Sequence, residues 1–310
     1  MADPPAVEFR GLVKYYGPVR ALDGVDLRVE QGEVFGFLGP NGAGKTTAIR
    51  CLLDLIRPTA GQALVLGLDS QRDSVEARSR MGYLPGDLSL YETLTGQQTI
   101  SFFAGLRPGR VDAAYLGRLI DRLEFDPRRP VGSLSRGNRQ KLGLILAIMH
   151  QPDVLVLDEP TSGLDPLAQE TVEELLQAAA AAGRTVFFSS HILSEVERIC
   201  HRVGIIRDGK IVAVEAIADL KGRSLHIVEV SFGEPVPADA FALPGVRELR
   251  RDGNLVHLEV RDNLDGALKA IARFRVVDLR TEQPSLEQIF LAYYQPASQS
   301  DVKEAARAAS

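Results

Sequence analysis

The segment Gly39-Pro40-Asn41-Gly42-Ala43-Gly44-Lys45-Thr46-Thr47 constrains the fold of this chain more than any other stretch. An apolar run from about Glu33 to Gly36-Phe37-Leu38 leads into it, and Thr46-Thr47-Ala48-Ile49 opens a helix beyond it. Glycines at 39, 42 and 44 let the backbone turn tightly and aim successive N–H groups inward, where a side chain would block a phosphate. The helix N-terminus adds its partial positive charge to that cradle. From this position Lys45 reaches β- and γ-phosphates, and the hydroxyl of Thr46 can ligate Mg²⁺. All of GxxxxGK[ST] is matched between a strand and a helix, which predicts an α/β chain that binds a nucleotide.

A second segment sharpens this. Val154-Leu155-Val156-Leu157 is a run of four aliphatic residues, as expected of a central parallel strand covered on both faces. Asp158 and Glu159 follow at its carboxyl end, the edge where open α/β sheets bind ligands. In that position Asp158 holds Mg²⁺ through water and Glu159 polarises an attacking water as general base. Upstream, Leu134-Ser135-Arg136-Gly137-Asn138 precedes a helix predicted from Arg139 to Met149, with Ser135 suited to cap it. Downstream come Pro160-Thr161-Ser162-Gly163-Leu164-Asp165 and a helix over 170–182, stopped by Gly183.

These segments, in this order, resemble the ATP-binding subunit of ABC transporters, from about Val7 to Ile217. The resemblance implies a P-loop ATPase of ABC type, with a β lobe, a parallel-sheet core and a helical subdomain. It assigns the phosphate loop (Gly39, Pro40, Asn41, Gly42, Ala43, Gly44, Lys45, Thr46, Thr47) and Tyr16 to ATP, the latter as the adenine-stacking aromatic in Lys14-Tyr15-Tyr16-Gly17. Thr46 and Asp158 become the Mg²⁺ ligands, Glu159 the general base, and His191 the switch residue that contacts the γ-phosphate. Ser135, Gly137, Asn138 and Asp165 would act in trans, on ATP held by a second copy, so the active unit is a head-to-tail homodimer. Histidines 150, 201, 226 and 257 match no family element and read as structural.

The chain departs from the family pattern in two places. Arg136 and Asn138 stand where the commonest signature has Gly and Gln, although Ser135 and Gly137, the residues that touch phosphate, are kept. In Met81-Gly82-Tyr83-Leu84-Pro85-Gly86-Asp87, Gly86 falls where a glutamine normally completes the Mg²⁺ sphere and senses the membrane partner. Water or the carboxylate of the adjacent Asp87 is the expected substitute.

Organisation follows from pattern. Residues 1–221 read as the nucleotide-binding domain, with its helical subdomain at about 84–151. By resemblance, Leu90-Tyr91-Glu92-Thr93-Leu94-Thr95 is where a membrane subunit docks, while Thr95 alone reads as a helix cap. Residues 222–295 read as a small α+β domain: Ile227 to Phe232 and Leu255 to Val260 alternate as strands, and Asp252-Gly253 is a turn. Leu264 to Phe274 follows as a helix, Val276 to Leu279 as a strand, and a last helix carries Leu286, Ile289, Phe290 and Tyr293 on one face. Ser285-Leu286-Glu287-Gln288-Ile289-Phe290 resembles the C-terminal motif of bacterial drug- and antibiotic-resistance exporter ATPases, the daunorubicin-resistance-like group of ABC-2 type. Residues 296–310, polar and Ala-rich, are expected to be disordered.

Composition sets the remaining expectations. A net charge of -5 gives no basic footprint, so nucleic acid is not expected as a partner. Cys51 and Cys200, two in 310 residues, imply reduced thiols. No basic segment followed by an apolar stretch opens the chain, and the longest apolar runs fall far short of the roughly 20 residues that span a bilayer. A transport motor of this kind needs separate permease subunits, which would hold it at the cytoplasmic face of the membrane. The exporter reading stands against a soluble ABC ATPase of translation or DNA repair, and against an importer motor. One cassette, no heptad insertion and no basic patch disfavour the soluble class.

Overall fold

The structure is a computed structural model that describes residues 3–282, apart from 108, 110, 223, 224, 238 and 262. Its contacts divide the chain into two compact units, Met1–Ala216 and Ile217–Ser310.

In the first unit β1 (Val7–Tyr16) and β2 (Val19–Val29) form a long antiparallel hairpin. The next strand, β3 (Val34–Leu38), leaves it for a different sheet and runs into α1 (Lys45–Leu52). Strands β4 (Ala60–Val65) and β5 (Leu68–Asp69) then return to the hairpin, giving the antiparallel order β2-β1-β4-β5. After α2 (Ser74–Ser79) and β6 (Met81–Leu84) come three helices, α3 (Gly96–Gly105), α4 (Ala113–Arg122) and α5 (Arg136–Ile148). The unit closes with β7 (Val154–Asp158), α6 (Pro166–Ala181), β8 (Thr185–Ser190), α7 (Leu193–Ile199), β9 (Arg202–Arg207) and β10 (Lys210–Ala216).

The second sheet has the order β10-β9-β3-β8-β7-β6, with every pairing parallel except the β10 edge. Every residue of β3, β7 and β8 is buried, which is why these strands read as unbroken apolar runs with no alternation. Phe187 of β8 joins the two sheets: its ring lies 6.0 Å from Phe35, 5.4 Å from Phe37 and, edge-on, 6.3 Å from Phe9 of the hairpin. The carboxyl ends of β3, β7 and β8 therefore open side by side on one edge of a rigid core.

The helices start where capping chemistry allows. Thr95 and Gln98 form a reciprocal capping box at α3, Asp112 caps α4, Ser135 caps α5, and Asp165 caps α6 with Pro166 in its first turn. Helix α5 lies hard against β6, because a Cβ on Gly82 would stand 2.0 Å from the carbonyl oxygen of Ala147. That close approach fixes the helix bearing Ser135 to Asn138 on the sheet bearing Asp158.

The second unit opens with α8 (Ile217–Gly222), followed by β11 (Leu225–Phe232), β12 (Val246–Asp252), β13 (Leu255–Arg261), α9 (Leu264–Ile271) and β14 (Val276–Glu282). Its antiparallel sheet has the order β12-β13-β11-β14. Val228, Val230, Phe232, Val256, Leu258 and Val260 pack beneath Ala267, Ala270 and Ile271 of α9. The expected C-terminal helix with Leu286, Ile289, Phe290 and Tyr293, its exporter motif and the tail at 296–310 lie outside the described residues. Among the described residues no helix is long and apolar enough to cross a membrane.

Candidate active site

Residues 39–44 connect the buried end of β3 to α1. Gly44, just before the helix, has φ +111°, and a Cβ there would stand 2.6 Å from the carbonyl oxygen of Ala21. No other residue fits that turn. Lys45 is 5% exposed, and its ammonium donates to the carbonyls of Gly39 (2.6 Å) and Pro40 (3.1 Å), folding back over the loop. Burial pulls its pKa below the ordinary lysine value, while the carboxylates of Glu159 and Asp158 oppose that shift.

Asp158 sits at the centre of the site with both oxygens engaged. Thr46 Oγ1 donates to its Oδ2 at 2.9 Å, and Ser189 Oγ donates to its Oδ1. The Thr46 hydroxyl and Asp158 carboxylate are hard oxygen donors and suit Mg²⁺. Among the described residues no three His, Cys, Asp or Glu side chains cluster to hold a metal. A cation at this place therefore depends on phosphate oxygens and water for its other ligands. Gly86 abuts the same carboxylate: a Cβ there would lie 3.3 Å from Asp158 Oδ2. Asp87 lines a neighbouring cleft with Gly86, Leu88, Leu134, Arg136, Arg139 and Gln140.

Glu159 adopts φ +52°, an uncommon conformation for a residue with a side chain and one that concentrates at functional sites. Its amide is bound by the carbonyl and hydroxyl of Ser189, each at 3.2 Å. Its carboxylate meets His191 Nδ1 at 2.9 Å, with His191 half exposed at the end of β8. Gln140 of α5, 7% exposed, donates from Nε2 to the carbonyls of Glu159 (3.1 Å) and Pro160 (3.0 Å).

The residues of the 135–138 segment gather around the loop that follows Glu159. Ser135 Oγ accepts from the backbone N of Asn138 (3.3 Å) and from its Nδ2 (3.1 Å). A Cβ on Gly137 would stand 2.9 Å from the Gly163 carbonyl, and Arg136 donates to Ser162 Oγ at 2.9 Å. Asp165 accepts from the Ala168 amide at 3.0 Å, which pulls its carboxyl pKa down. Tyr16, at the end of the β1–β2 hairpin, is 46% exposed with the Lys14 ammonium 5.3 Å from its ring centroid. Tyr15 is engaged instead by the Arg20 guanidinium at 5.1 Å.

Thr46 meets Asp158 and His191 meets Glu159 directly, with Lys45 folded over the adjoining loop. Arg136 and Gly137 meet the 162–163 turn, and Ser135 and Asn138 bond each other. Sequence reading missed two participants, Gln140 and Ser189. The available signals were a polar residue inside an apolar helix and a pair of hydroxyls, Ser189-Ser190, ending an apolar strand just before His191.

Known proteins resemble this chain over most of its length. The family model described as ABC transporter matches residues 22–162. The daunorubicin resistance ATP-binding protein DrrA2 of Streptomyces coeruleorubidus is 37% identical over 307 residues, 93% of this chain and 95% of that protein. The probable multidrug ABC transporter ATP-binding protein YbhF of Escherichia coli strain K12 is 39% identical over 224 residues, 71% of this chain. The chain spans only 39% of that relative's length. A solved ATP-binding subunit of an ABC transporter superposes with a TM-score of 0.63 at 29% identity, covering 70% of this chain and 92% of the other.

Proposed function

This chain belongs to the ABC transporter family, and we propose that it is the ATP-hydrolysing motor of a bacterial exporter that energises separate permease subunits. Drug or antibiotic efflux is the favoured task, on the strength of the daunorubicin-resistance relative, which matches along nearly its whole length. Two copies would close head to tail around two ATP molecules at the cytoplasmic face of the membrane.

The observation that carries the reading is the Thr46–Asp158 contact of 2.9 Å beside the Glu159–His191 contact of 2.9 Å, at the carboxyl edge of one parallel sheet. The loop amides and Lys45 would bind the phosphates, Lys45 exchanging its carbonyl partners for phosphate oxygens. Tyr16 would stack on adenine. When bound, Mg²⁺ neutralises charge on the β- and γ-phosphate oxygens, with Thr46 and Asp158 to hold it and Asp87 as a further candidate.

Glu159 accepts a proton from water as the water oxygen attacks the γ-phosphorus and the bond to the β-phosphate oxygen breaks. In the same cycle His191 would turn from Glu159 Oε1 to the γ-phosphate. Ser135 and the Gly137 amide, backed by the positive end of α5, would complete the site of the partner copy, with Asn138 and Asp165 beside them. ATP binding thus closes the pair and hydrolysis reopens it.

Tagging the chain in its native cell, solubilising membranes and identifying what co-purifies tests the reading. A multi-helix permease at equal stoichiometry is expected. Recovery with ribosomes or DNA and no membrane protein would leave an ATPase and remove the transport role.

A further inference from the structure

Glu195 stands in the first turn of α7 and is 4% exposed. An isolated buried carboxylate is expensive, so its partners matter. Thr161 Oγ1 donates to its Oε1 at 2.5 Å, and Ser190 Oγ donates to its Oε2 at 2.7 Å. Ser190 Oγ in turn accepts from the Ile192 amide at 2.9 Å. Each oxygen of one carboxylate thus holds a different loop: Thr161 lies two residues beyond Glu159, and Ser190 immediately precedes His191.

Helix α7 is itself fixed. A Cβ on Gly36 would stand 2.9 Å from Val196 Cγ1 and 2.8 Å from Cys200 Sγ, so α7 and its end press directly on the backbone of β3. Glu195 therefore refers both loops to the strand that feeds the phosphate loop.

Two rungs then connect the loops. One is the direct Glu159–His191 contact, which opens when His191 turns to the γ-phosphate. The other is the Thr161–Glu195–Ser190 bridge, which touches neither reacting group and has no need to open. We propose that Glu195 is the positioning residue that keeps Glu159 and His191 in register once their own contact is broken. The proposal rests on the hydrolytic roles given above to Glu159 and His191.

The test uses the purified full chain. Glu195→Gln keeps the volume but replaces one acceptor oxygen with an amide. Thr161→Val cuts the same bridge from the other side. Each variant is expected to lower kcat between about ten- and a hundredfold. KM for ATP and binding of a fluorescent ATP analogue should stay within about twofold, since neither residue touches nucleotide. Because they interrupt one bridge, the double variant should lose little beyond either single one.

A merely structural bond would instead lower the melting temperature and raise KM together with any loss of kcat. Unchanged kcat in Glu195→Gln, or losses that multiply in the double variant, overturns the proposal while turnover by the unaltered chain still supports the hydrolytic reading. No ATP turnover by the unaltered chain overturns both.

Discussion

Arg136 donates from Nη2 to Ser162 Oγ at 2.9 Å, and its stem covers Gly163, where a Cβ would lie 3.1 Å from Arg136 Cδ. One of the two residues that depart from the commonest signature thus ties the start of α5 to the loop after Glu159. Arg136 is exposed and Ser162 half-buried, so the bond adds little to stability. Its effect should fall on how that loop moves. Arg136→Gly is expected to shift stability by no more than about 0.5 kcal/mol. ATP turnover should fall less than about tenfold, with KM unchanged. Thermal unfolding and steady-state kinetics on one preparation check this; an unchanged rate would show that the tie plays no part in turnover.

Glu159 is the base proposed above for the attacking water. Glu159→Gln removes the base while keeping a partner for His191. The variant is expected to bind ATP and to accumulate as the nucleotide-bound dimer, with turnover lowered by about 10² to 10⁴. Size-exclusion chromatography with ATP, run beside a phosphate-release assay, reads both quantities. Full turnover by this variant would remove Glu159 as the base.

What was legible in the sequence was what local chemistry dictates. The phosphate loop needs its glycines within a few residues of one another, and buried parallel strands need unbroken apolar runs; both can be read without knowing the partners. Strand β12 could not, because Val246–Asp252 is an edge strand whose residues 247–250 are all exposed, so no alternation marks the sequence VRELRRD. Gln140, Ser189 and Glu195 were hidden for another reason. Each gains its meaning from a residue 19 to 34 positions away, as in Gln140 with Glu159, Ser189 with Asp158 and Glu195 with Thr161. Only the fold brings those pairs together.

His150 predicts a pH dependence of stability. The ring follows α5, with Nε2 3.2 Å from the Met81 carbonyl oxygen. Burial first, and the nearby Arg107 guanidinium second, push its pKa from 6.5 down to about 4. Between those values the unfolded chain binds the extra proton and the folded chain does not, so stability rises with pH through this window and is lost as pH falls. Allowing for partial exposure of the ring, the loss amounts to on the order of 2 kcal/mol from neutral pH to pH 4. His150→Gln should flatten this part of the curve. Urea unfolding of both proteins at several pH values between about 7 and 4 isolates the difference, because shared carboxylates cancel. Parallel curves would show that His150 is not the titrating group.

Asp87 is the candidate we propose for the place in the Mg²⁺ site where position 86 offers no glutamine. Gly86 lies close against the Asp158 carboxylate, where a Cβ would stand 3.3 Å from Asp158 Oδ2. Asp87 is exposed and borders a cleft that also holds Arg136 and Arg139. A share in the metal site would require the Asp87 carboxylate to turn from that cleft toward Asp158 when nucleotide binds. If it does, Asp87→Ala should raise the Mg²⁺ concentration for half-maximal ATPase activity about tenfold while leaving nucleotide binding without metal unchanged, since only a ligand to the cation is lost. Titrating Mg²⁺ at saturating ATP measures this. An unchanged midpoint would rule Asp87 out and leave water as the group standing where the glutamine side chain would be, with Thr46 and Asp158 as the protein ligands.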